Sequence, residues 1–460
     1  MAAVAGGAGG LASTTPAGRR GGLWRHRDFL LLWSGQAVSE AGSQVTVLAL
    51  PLVAIDTLKV GTFAVGALTA CTSAAFLFAG LPAGVVVDRT RKRRLMVAAD
   101  AGRAVVLGSV PVAWWAGALT LAHLYLAAVV TGLLTVFFDV AYQSELPDLV
   151  GRDALVEANG KLQATSSGAQ VGGPAVAGAL VGALGAAGAV AADAVSFVVS
   201  VVSLAAIRAP DESPPPAARR TVRADIAEGL RFVAGEPRIR AVAACTATAN
   251  FFSSLAEAVL LVFLRRSMHL SPALIGVVFA AGAVGGLAGA VTAAPLARRL
   301  GVGRTILASS VCFGVGGVLA PLATRADVVG VVVAGQLLAS FGAVAYNVNQ
   351  VSLRQTLCPP ALLGRMNASV RTVVWGVMPL GALAGGVLGS TVGLRPALWV
   401  AAAGGLTAVG WVATSPGVRS VRRMPAPPVA GAGAAAGPGA AAEELPPMVV
   451  PAAPAAPPAE

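Results

Sequence analysis

The sequence predicts an all-α polytopic membrane protein whose twelve transmembrane helices form two six-helix bundles. Of its 460 residues, 56% are hydrophobic and only 12% are charged, whereas about 25% of residues are charged in an ordinary soluble domain. The apolar residues lie in runs of about 20, which is the length of a helix that crosses a bilayer. Short motifs also recur in the same order in both halves of the chain, as expected of a duplicated bundle.

The apolar runs predict where the twelve spans lie. They are expected at residues 30–54, 63–87, 95–117, 119–141, 164–184, 186–207, 241–264, 272–296, 305–323, 326–349, 369–391 and 396–414. The spans group into an N-terminal bundle at 28–207 and a C-terminal bundle at 241–414. Residues 208–240 between them are expected to form a cytoplasmic linker with a surface helix. Residues 1–27 and 415–460 are poor in large apolar side chains and are expected to be disordered cytoplasmic tails.

The internal repeat is clearest at the fourth and fifth spans of each bundle. Ala141-Tyr142 in the first half is matched by Ala345-Tyr346 in the second, and Gly173-Pro174 is followed in register by Pro379-Leu380-Gly381. Membrane proteins built from such repeats place a substrate site between their halves. The repeat therefore favours a transporter.

The formal net charge of +12 comes from basic residues in the short loops between spans. They do not line one amphipathic face, and no aromatic platform accompanies them, so nucleic-acid binding is not expected. If the N-terminus lies inside, most of the 33 Lys and Arg residues fall on that side of the membrane. This bias predicts a multi-pass protein of the cell (inner or plasma) membrane with both termini in the cytoplasm. The pair Arg265-Arg266 lies on the other side, and the sequence alone does not explain it.

No cofactor, metal site or enzymatic centre is expected. The cysteines occur singly, and no His or Cys pair has the spacing of a metal site. The nucleotide-binding pattern Gly-x-x-x-x-Gly-Lys-Ser/Thr is absent, so ATP is not expected to drive the protein. A membrane-embedded enzyme would need clustered catalytic His, Cys or acidic residues, and the sequence contains no such cluster.

The most informative motif joins the second and third spans. A glycine precedes an acidic residue, a basic run and an acid–base pair, in the order Gly84, Asp88, Arg89, Lys92, Arg93, Arg94, Asp100 and Arg103. A positive-inside cluster would explain the basic residues but not the glycine and the two acids. Asp100 and Arg103 are three residues apart on one helix, which predicts an ion pair.

With this motif the sequence resembles the major facilitator superfamily, and more narrowly its drug and siderophore exporter branch, which includes macrolide-efflux and enterobactin-exporter proteins. The resemblance extends over residues 27–414 and includes Leu32-Trp33, Gly35-Gln36, Asp139, Leu146-Pro147, Ala192-Asp193, Gly364-Arg365 and Asn367. It implies alternating access, with Asp88 and the basic loop as a cytoplasmic gate latch and Arg371 as a neighbour. Arg91 stands where a glycine is usual, and the second-half counterpart near Arg298 lacks the acid, so the latch is expected to be asymmetric.

The fifth span carries Gly173, Pro174 and Gly178. This group resembles the glycine–proline motif of antiporters in the superfamily. Proline removes a helical hydrogen bond, and small residues permit close packing and bending. Simple helix packing explains the same residues, so the motif favours export over import only modestly.

Acidic residues within spans are costly and often functional. Glu40 in the first span and Glu257 in the seventh occupy equivalent helices, and each is a candidate proton or substrate site, with a structural acid as the alternative. Gln36, Asn250 and Asn347 are candidates for neutral hydrogen bonds to a substrate.

These observations predict a secondary active transporter, with proton-coupled efflux of a hydrophobic or amphipathic small molecule by alternating access. A drug, a macrolide-like antibiotic or a siderophore would fit this description. The protein is expected to act as a monomer in the lipid bilayer. A facilitator or importer of a small metabolite on the same fold is the alternative. A channel is disfavoured because duplicated bundles with glycine-rich helices suit rocking closure.

Overall fold

The computed structural model describes residues 23–87, 90–151, 154–209, 222–359 and 362–423. The regular secondary structure in these ranges is helical, and they contain no strand. The first half contains α1 (Arg27–Leu52), α2 (Thr62–Val87), α3 (Lys92–Trp115), α4 (Leu121–Val150) and α5 (Leu155–Ala205). A surface helix, α6 (Val222–Gly235), follows. The second half contains α7 (Pro237–Val262), α8 (Pro272–Leu300), α9 (Val302–Leu322), α10 (Val328–Leu357), α11 (Leu363–Gly376), α12 (Met378–Thr391) and α13 (Leu394–Ala413), and the short α14 (Pro416–Arg419) ends the described chain.

The helices account for the twelve predicted spans. Ten segments of the described chain are long and apolar enough to cross a bilayer. One of them, 157–205, crosses twice because α5 breaks at Gly185, where φ is 73° and ψ is 166°. The 26-residue α2 supplies the twelfth span, since at 1.5 Å per residue it reaches across the hydrocarbon layer. Helices α11 and α12 meet at Val377 and together form one span.

The chain ends are ordered further than composition predicts. Residues Leu23–Arg25 form a short 3-10 turn, and the side chain of Leu23 is buried. The indole of Trp24 packs edge-on against Trp33 at 5.3 Å. At the other end, Val418 of α14 is also buried. Each tail thus contributes one apolar anchor at the point where it leaves the bundle, while residues 1–22 and 424–460 lie outside the described chain.

Local polar contacts fix several helix ends. Thr120 and Ser271 accept hydrogen bonds from backbone N–H groups in the first turns of α4 and α8, which satisfies donors that the helix leaves unpaired. Before α10, the carboxylate of Asp327 accepts bonds from the backbone N–H of Thr324 at 2.7 Å and from its hydroxyl at 2.8 Å. These bonds lower the pKa of Asp327 because they stabilise its charged form.

The two halves repeat one irregular feature. Helix α1 ends in a π-helical turn at Val53–Thr57, and α7 ends in a matching turn at Phe263–Ser267. Each turn is followed at the same spacing by a residue with positive φ, Lys59 at 52° and His269 at 57°. We call the membrane face at which α1 begins and α13 ends the terminal face. The two turns lie at the opposite face, which we call the distal face.

The halves pack through small residues near the distal face. On α5 and α8, a Cβ atom added to Gly178 would stand 3.0 Å from the Cα of Gly276. On α2 and α12, a Cβ atom on Gly66 would stand 2.7 Å from the Cα of Gly386. Glycine at these positions therefore permits backbone contact between helices of the two halves.

Large apolar side chains cover the outer surfaces of many helices. Exposed examples include Val105, Trp115, Leu126, Val195 and Leu380. Such a continuous apolar exterior is what a bilayer covers, and it agrees with the predicted membrane location.

Candidate functional site

A cavity of about 830 Å³ lies in the first half, on the side nearer the terminal face. It is enclosed by α1, α4 and the beginning of α5, and its lining combines aromatic, amide, hydroxyl and carboxyl groups. The lining residues are Trp33, Gln36, Ala37, Glu40, Tyr142, Gln143, Leu146, Pro147, Leu155, Asn159, Gly160, Leu162, Gln163, Thr165 and Ser166. This mixture of flat apolar surfaces and scattered polar groups suits an amphipathic small molecule.

Glu40 is the acidic residue in the lining of this cavity. Its carboxylate is half-buried and accepts a hydrogen bond from the hydroxyl of Ser166 at 3.3 Å. One turn away, the buried Oε1 atom of Gln36 has no hydrogen-bond partner among the described residues. The indole of Trp33 donates to the hydroxyl of Thr165 at 2.9 Å, which ties α1 to α5. The sequence candidates Glu40 and Gln36 thus lie together, and both can still bind a ligand.

Asp139 lies near this region, although it is not part of the cavity lining. Its carboxylate interacts electrostatically with Glu40 on α1, Arg103 on α3 and Arg371 on α11. Arg371 comes from the second half, and its guanidinium lies 4.2 Å from the ring centre of Trp375. Asp139 therefore feels both the acid of the cavity and a cation of the second half. The sequence signal was the position of Asp139 within an otherwise apolar span.

The other neutral and acidic candidates lie in the second half, away from the cavity lining. Glu257 is exposed on α7. The amide of Asn250 donates to the backbone carbonyl of Val374 at 3.0 Å, and Asn347 is exposed and accepts from Gln350 at 2.9 Å. The structure therefore does not bring these three residues together with Glu40.

The basic run of the loop motif is anchored within the first half. Gly84 lies in the last turn of α2. The ammonium group of Lys92 lies 2.6 Å from Asp148 Oδ2 and donates to the carbonyl of Ser144 at 2.9 Å. Arg93 lies 2.9 Å from Glu145 Oε1, and Arg94 also has an interaction partner. Asp88 and Arg89 lie outside the described residues, so the predicted gate latch stays a prediction.

Asp100 and Arg103 form the ion pair that their spacing predicts, and both are buried. The guanidinium of Arg103 lies 4.6 Å from the ring centre of Phe138 and 4.3 Å from that of Phe197. This cluster joins α3, α4 and the part of α5 that follows Gly185, so it fixes the position of α4, one of the helices that line the cavity.

A second buried acid, Asp193, lies on the part of α5 that follows the break at Gly185. Its carboxylate accepts hydrogen bonds from the hydroxyls of Thr46 and Ser196. A polar contact inside the first half therefore links α1 with the second span of α5. Hydroxyl donors of this kind lower the cost of placing a carboxyl group in a membrane bundle.

The glycine–proline group of α5 lies where helices approach closely. Gly173 packs on the side chain of Gln44 in α1, since an added Cβ would stand 2.5 Å from Gln44 Cβ. Pro174 lies inside the helix, and Gly178 faces α8 of the second half. The three residues therefore make packing contacts within and between the halves. Their predicted role in helix bending stays a prediction.

Most of the chain matches a known protein family. A family model described as transmembrane secretion effector matches residues 23–427. The chain belongs to this family.

The chain has two exporters among its relatives. It is 27% identical over 387 residues to the multidrug efflux pump Tap of Mycolicibacterium fortuitum, a match that covers 80% of this chain and 90% of that protein. It is 26% identical over 351 residues to the enterobactin exporter EntS of Citrobacter koseri, covering 75% of this chain and 81% of that protein. These relatives support the prediction of an efflux transporter.

A solved structure shows the same fold. The crystal structure of a bacterial homologue of the iron transporter ferroportin, in its inward-facing state, gives a TM-score of 0.70 at 19% sequence identity and covers 86% of this chain and 99% of that chain. The predicted superfamily and the predicted all-α fold of the chain are confirmed. Because its family and relatives are membrane transporters, the prediction of a transporter in place of an enzyme is confirmed as well.

Metal-ligating residues do not cluster within the described ranges. These ranges contain no group of three or more His, Cys, Asp or Glu residues that could hold a metal ion. The cysteines are free, and two of them, Cys245 and Cys358, are buried.

Proposed function

We propose that this protein is a secondary active exporter that moves a hydrophobic or amphipathic small molecule out of the cell by alternating access. A drug, a macrolide-like antibiotic or a siderophore belongs to this class. The observation that carries the proposal is the cavity around Glu40, which lies toward the terminal face while the halves contact each other near the distal face. This is the arrangement expected of a transporter that is ready to load at the terminal face.

The terminal face is the cytoplasmic face in this proposal, and the membrane is the cell membrane. The excess of Lys and Arg in the loops at the terminal face supports this orientation. A molecule would then enter the cavity from the cytoplasm or from the inner leaflet and leave at the distal face.

Proton entry would drive the export, and Glu40 is the first candidate for the proton site. The carboxyl group can hold a proton or bind a polar or cationic part of the substrate, so the two compete for one position. One proton that moves down 100 mV releases about 2.3 kcal/mol, which supports a solute gradient of roughly fiftyfold. Glu257 on α7 is the second candidate. It lies outside the cavity lining, so it would act at a different stage of the cycle.

The gate at the terminal face would use the loop motif. Lys92 and Arg93 are bound to α4, so this end of α3 moves together with the first half when the halves rock. Asp88 and its basic neighbours would then meet the second half as a unit, with Gly173, Pro174 and Gly178 as the packing surface about which the helices adjust. The protein would work as a monomer and without ATP.

Efflux assays test the proposal. Cells that express wild type, Glu40→Gln or Glu257→Gln would be loaded with a panel of macrolides, dyes and siderophores, with and without a protonophore. Glu157→Gln is a matched control because Glu157 is exposed on α5 and pairs with Lys161 outside the cavity. We expect protonophore-sensitive efflux that Glu40→Gln reduces to the protonophore-treated level and Glu157→Gln preserves. Efflux that resists the protonophore would instead indicate a facilitator.

A further inference from the structure

At the distal face, an arginine of the second half binds an acid of the first half. Arg265, in the turn after α7, donates from Nε to both carboxylate oxygens of Asp56, at 2.9 Å and 3.1 Å. Asp56 lies in the turn after α1. The Nη1 atom of Arg265 donates to the carbonyl of Leu270 at 3.1 Å, which holds the guanidinium on its own half. The side chain is thus oriented by one half and paired with the other.

The next residue makes a second cross-link of a different kind. Arg266 donates from Nη2 to the backbone carbonyls of Val60 at 2.7 Å and Ile55 at 3.4 Å. These carbonyls lie where α1 ends, and the C-terminal end of a helix carries partial negative charge. Arg266 of the second half therefore caps a helix of the first half. The two neighbouring arginines use an acid and two carbonyls as separate partners.

The repeat explains why these groups meet. Asp56 is the fourth residue of its π-helical turn, and Arg266 is the fourth residue of the matching turn. The duplicated bundles thus bring equivalent turns together at the distal face, but the two turns carry opposite charges. This pairing also accounts for Arg265-Arg266 as an exception to the positive-inside pattern, because their charges are engaged by the other half.

The cross-links cover an apolar contact between the halves. Residues 53–55 and 262–264 are buried in one cluster. In contrast, the side chains of Arg265 and Asp56 are 31% and 32% exposed. Water can therefore solvate both charged groups as soon as they separate, whereas two fully buried charges would resist separation. A contact of this type can open and re-form repeatedly.

We propose that Asp56, Arg265 and Arg266 form a distal latch that holds the halves together while the cavity is open to the terminal face. Release of this latch is the step that lets the distal face open. The inference rests on the proposed alternating-access function, because a latch has a role only if the halves separate. In this proposal, the residues that favour the distal-closed over the distal-open state lie at the face opposite the loop motif.

Distance measurements on the full-length protein in lipid nanodiscs test the latch directly. Spin labels would be placed at Ala118 and Ala326, which are exposed in distal loops of the first and second halves, in a background without the native cysteines. Asp56→Asn, Arg265→Gln and Arg266→Gln are each expected to raise the ratio of distal-open to distal-closed molecules by about two- to fivefold. The exchanged variant Asp56→Arg with Arg265→Asp is expected to return the ratio toward that of wild type.

Arg325→Gln is the matched control. Arg325 is an exposed arginine at the same face, but it contacts Ser267 and His269 of its own half. Unchanged distances in all three latch variants would overturn the proposal, and so would an equal shift in Arg325→Gln. The distance readout requires neither substrate nor protons, so failure of the latch is distinct from failure of the export proposal, which Glu40→Gln tests. Size-exclusion profiles of the labelled variants identify any variant that does not fold. If a single variant fails this check, the distances in the exchanged variant decide whether the latch proposal stands.

Discussion

Gly178 of α5 and Gly276 of α8 face each other across the interface between the two halves. A Cβ atom added to Gly178 would stand 2.6 Å from the carbonyl oxygen of Pro272 and 3.0 Å from the Cα of Gly276. Backbone atoms cannot move aside as a flexible side chain can, so this contact requires glycine as long as the distal face is closed. Gly178 of the glycine–proline group therefore permits the close contact of α5 with α8, at the interface that would open in the proposed transport cycle.

We expect Gly178→Leu to favour the distal-open arrangement. The added side chain overpacks the contact with α8, and overpacking costs about 1 to 3 kcal/mol, which the protein can relieve by separating α5 from α8. Spin-label distances between the distal loops would detect the shift. Gly182→Leu is the control, because a Cβ atom there meets no atom within 4 Å. Equal distance distributions in the two variants would contradict the prediction.

If proton entry drives export as proposed, Asp139→Asn is expected to impair efflux as strongly as Glu40→Gln. The substitution removes a carboxylate that interacts electrostatically with Glu40 and with Arg371 of the second half, so the fold should persist while the response to a proton gradient is lost. Proteoliposomes with an imposed proton gradient and an exported dye provide the measurement. Glu157→Gln is the control, since Glu157 is an exposed acid of the first half that pairs with Lys161 outside the cavity. Full gradient-driven efflux by Asp139→Asn would exclude this carboxyl group from the proton route.

The ion pair inside the first half leads to a prediction about stability. Arg103→Gln leaves Asp100 buried without its cation, and breaking a buried pair in this way costs about 3 to 5 kcal/mol. The double variant Asp100→Asn with Arg103→Gln removes both charges, and it should recover a large part of that loss. Thermal unfolding in detergent, followed by tryptophan fluorescence, compares the two. A double variant that is less stable than Arg103→Gln would show that the charges themselves are not the cause.

The sequence predicted those features that depend on neighbouring residues. Run lengths placed the spans, and a spacing of three residues placed Arg103 against Asp100 on one helix. The distal cross-links escaped prediction because Asp56 and Arg265 are separated by 209 positions, and their meeting depends on how two bundles dock. The interactions of Asp139 with Glu40 on α1 and Arg371 on α11 escaped prediction for the same reason, since they too depend on how the helices pack. The spacing of neighbouring residues along one helix does not show which residues of distant helices will meet.

The break in α5 provides a test of backbone conformation alone. Gly185 has a φ of 73° and a ψ of 166°, a combination that is essentially confined to glycine and costs other residues about 1 to 3 kcal/mol. A Cβ atom at this position meets no atom within 4 Å, so Gly185→Ala adds strain without a steric clash. We expect it to lower the unfolding temperature of the purified protein.

Gly182→Ala separates this strain from the general effect of losing a glycine. Gly182 lies three residues earlier, inside the regular part of the helix, and it is equally open to its surroundings. Alanine is the better helix former there by about 0.5 to 1 kcal/mol, so we expect Gly182→Ala to keep or raise the unfolding temperature. The two alanine variants should therefore shift it in opposite directions. If both variants raise the unfolding temperature, the connection between the fifth and sixth spans does not need a residue with positive φ. Gly185 would then not be required for the break in α5.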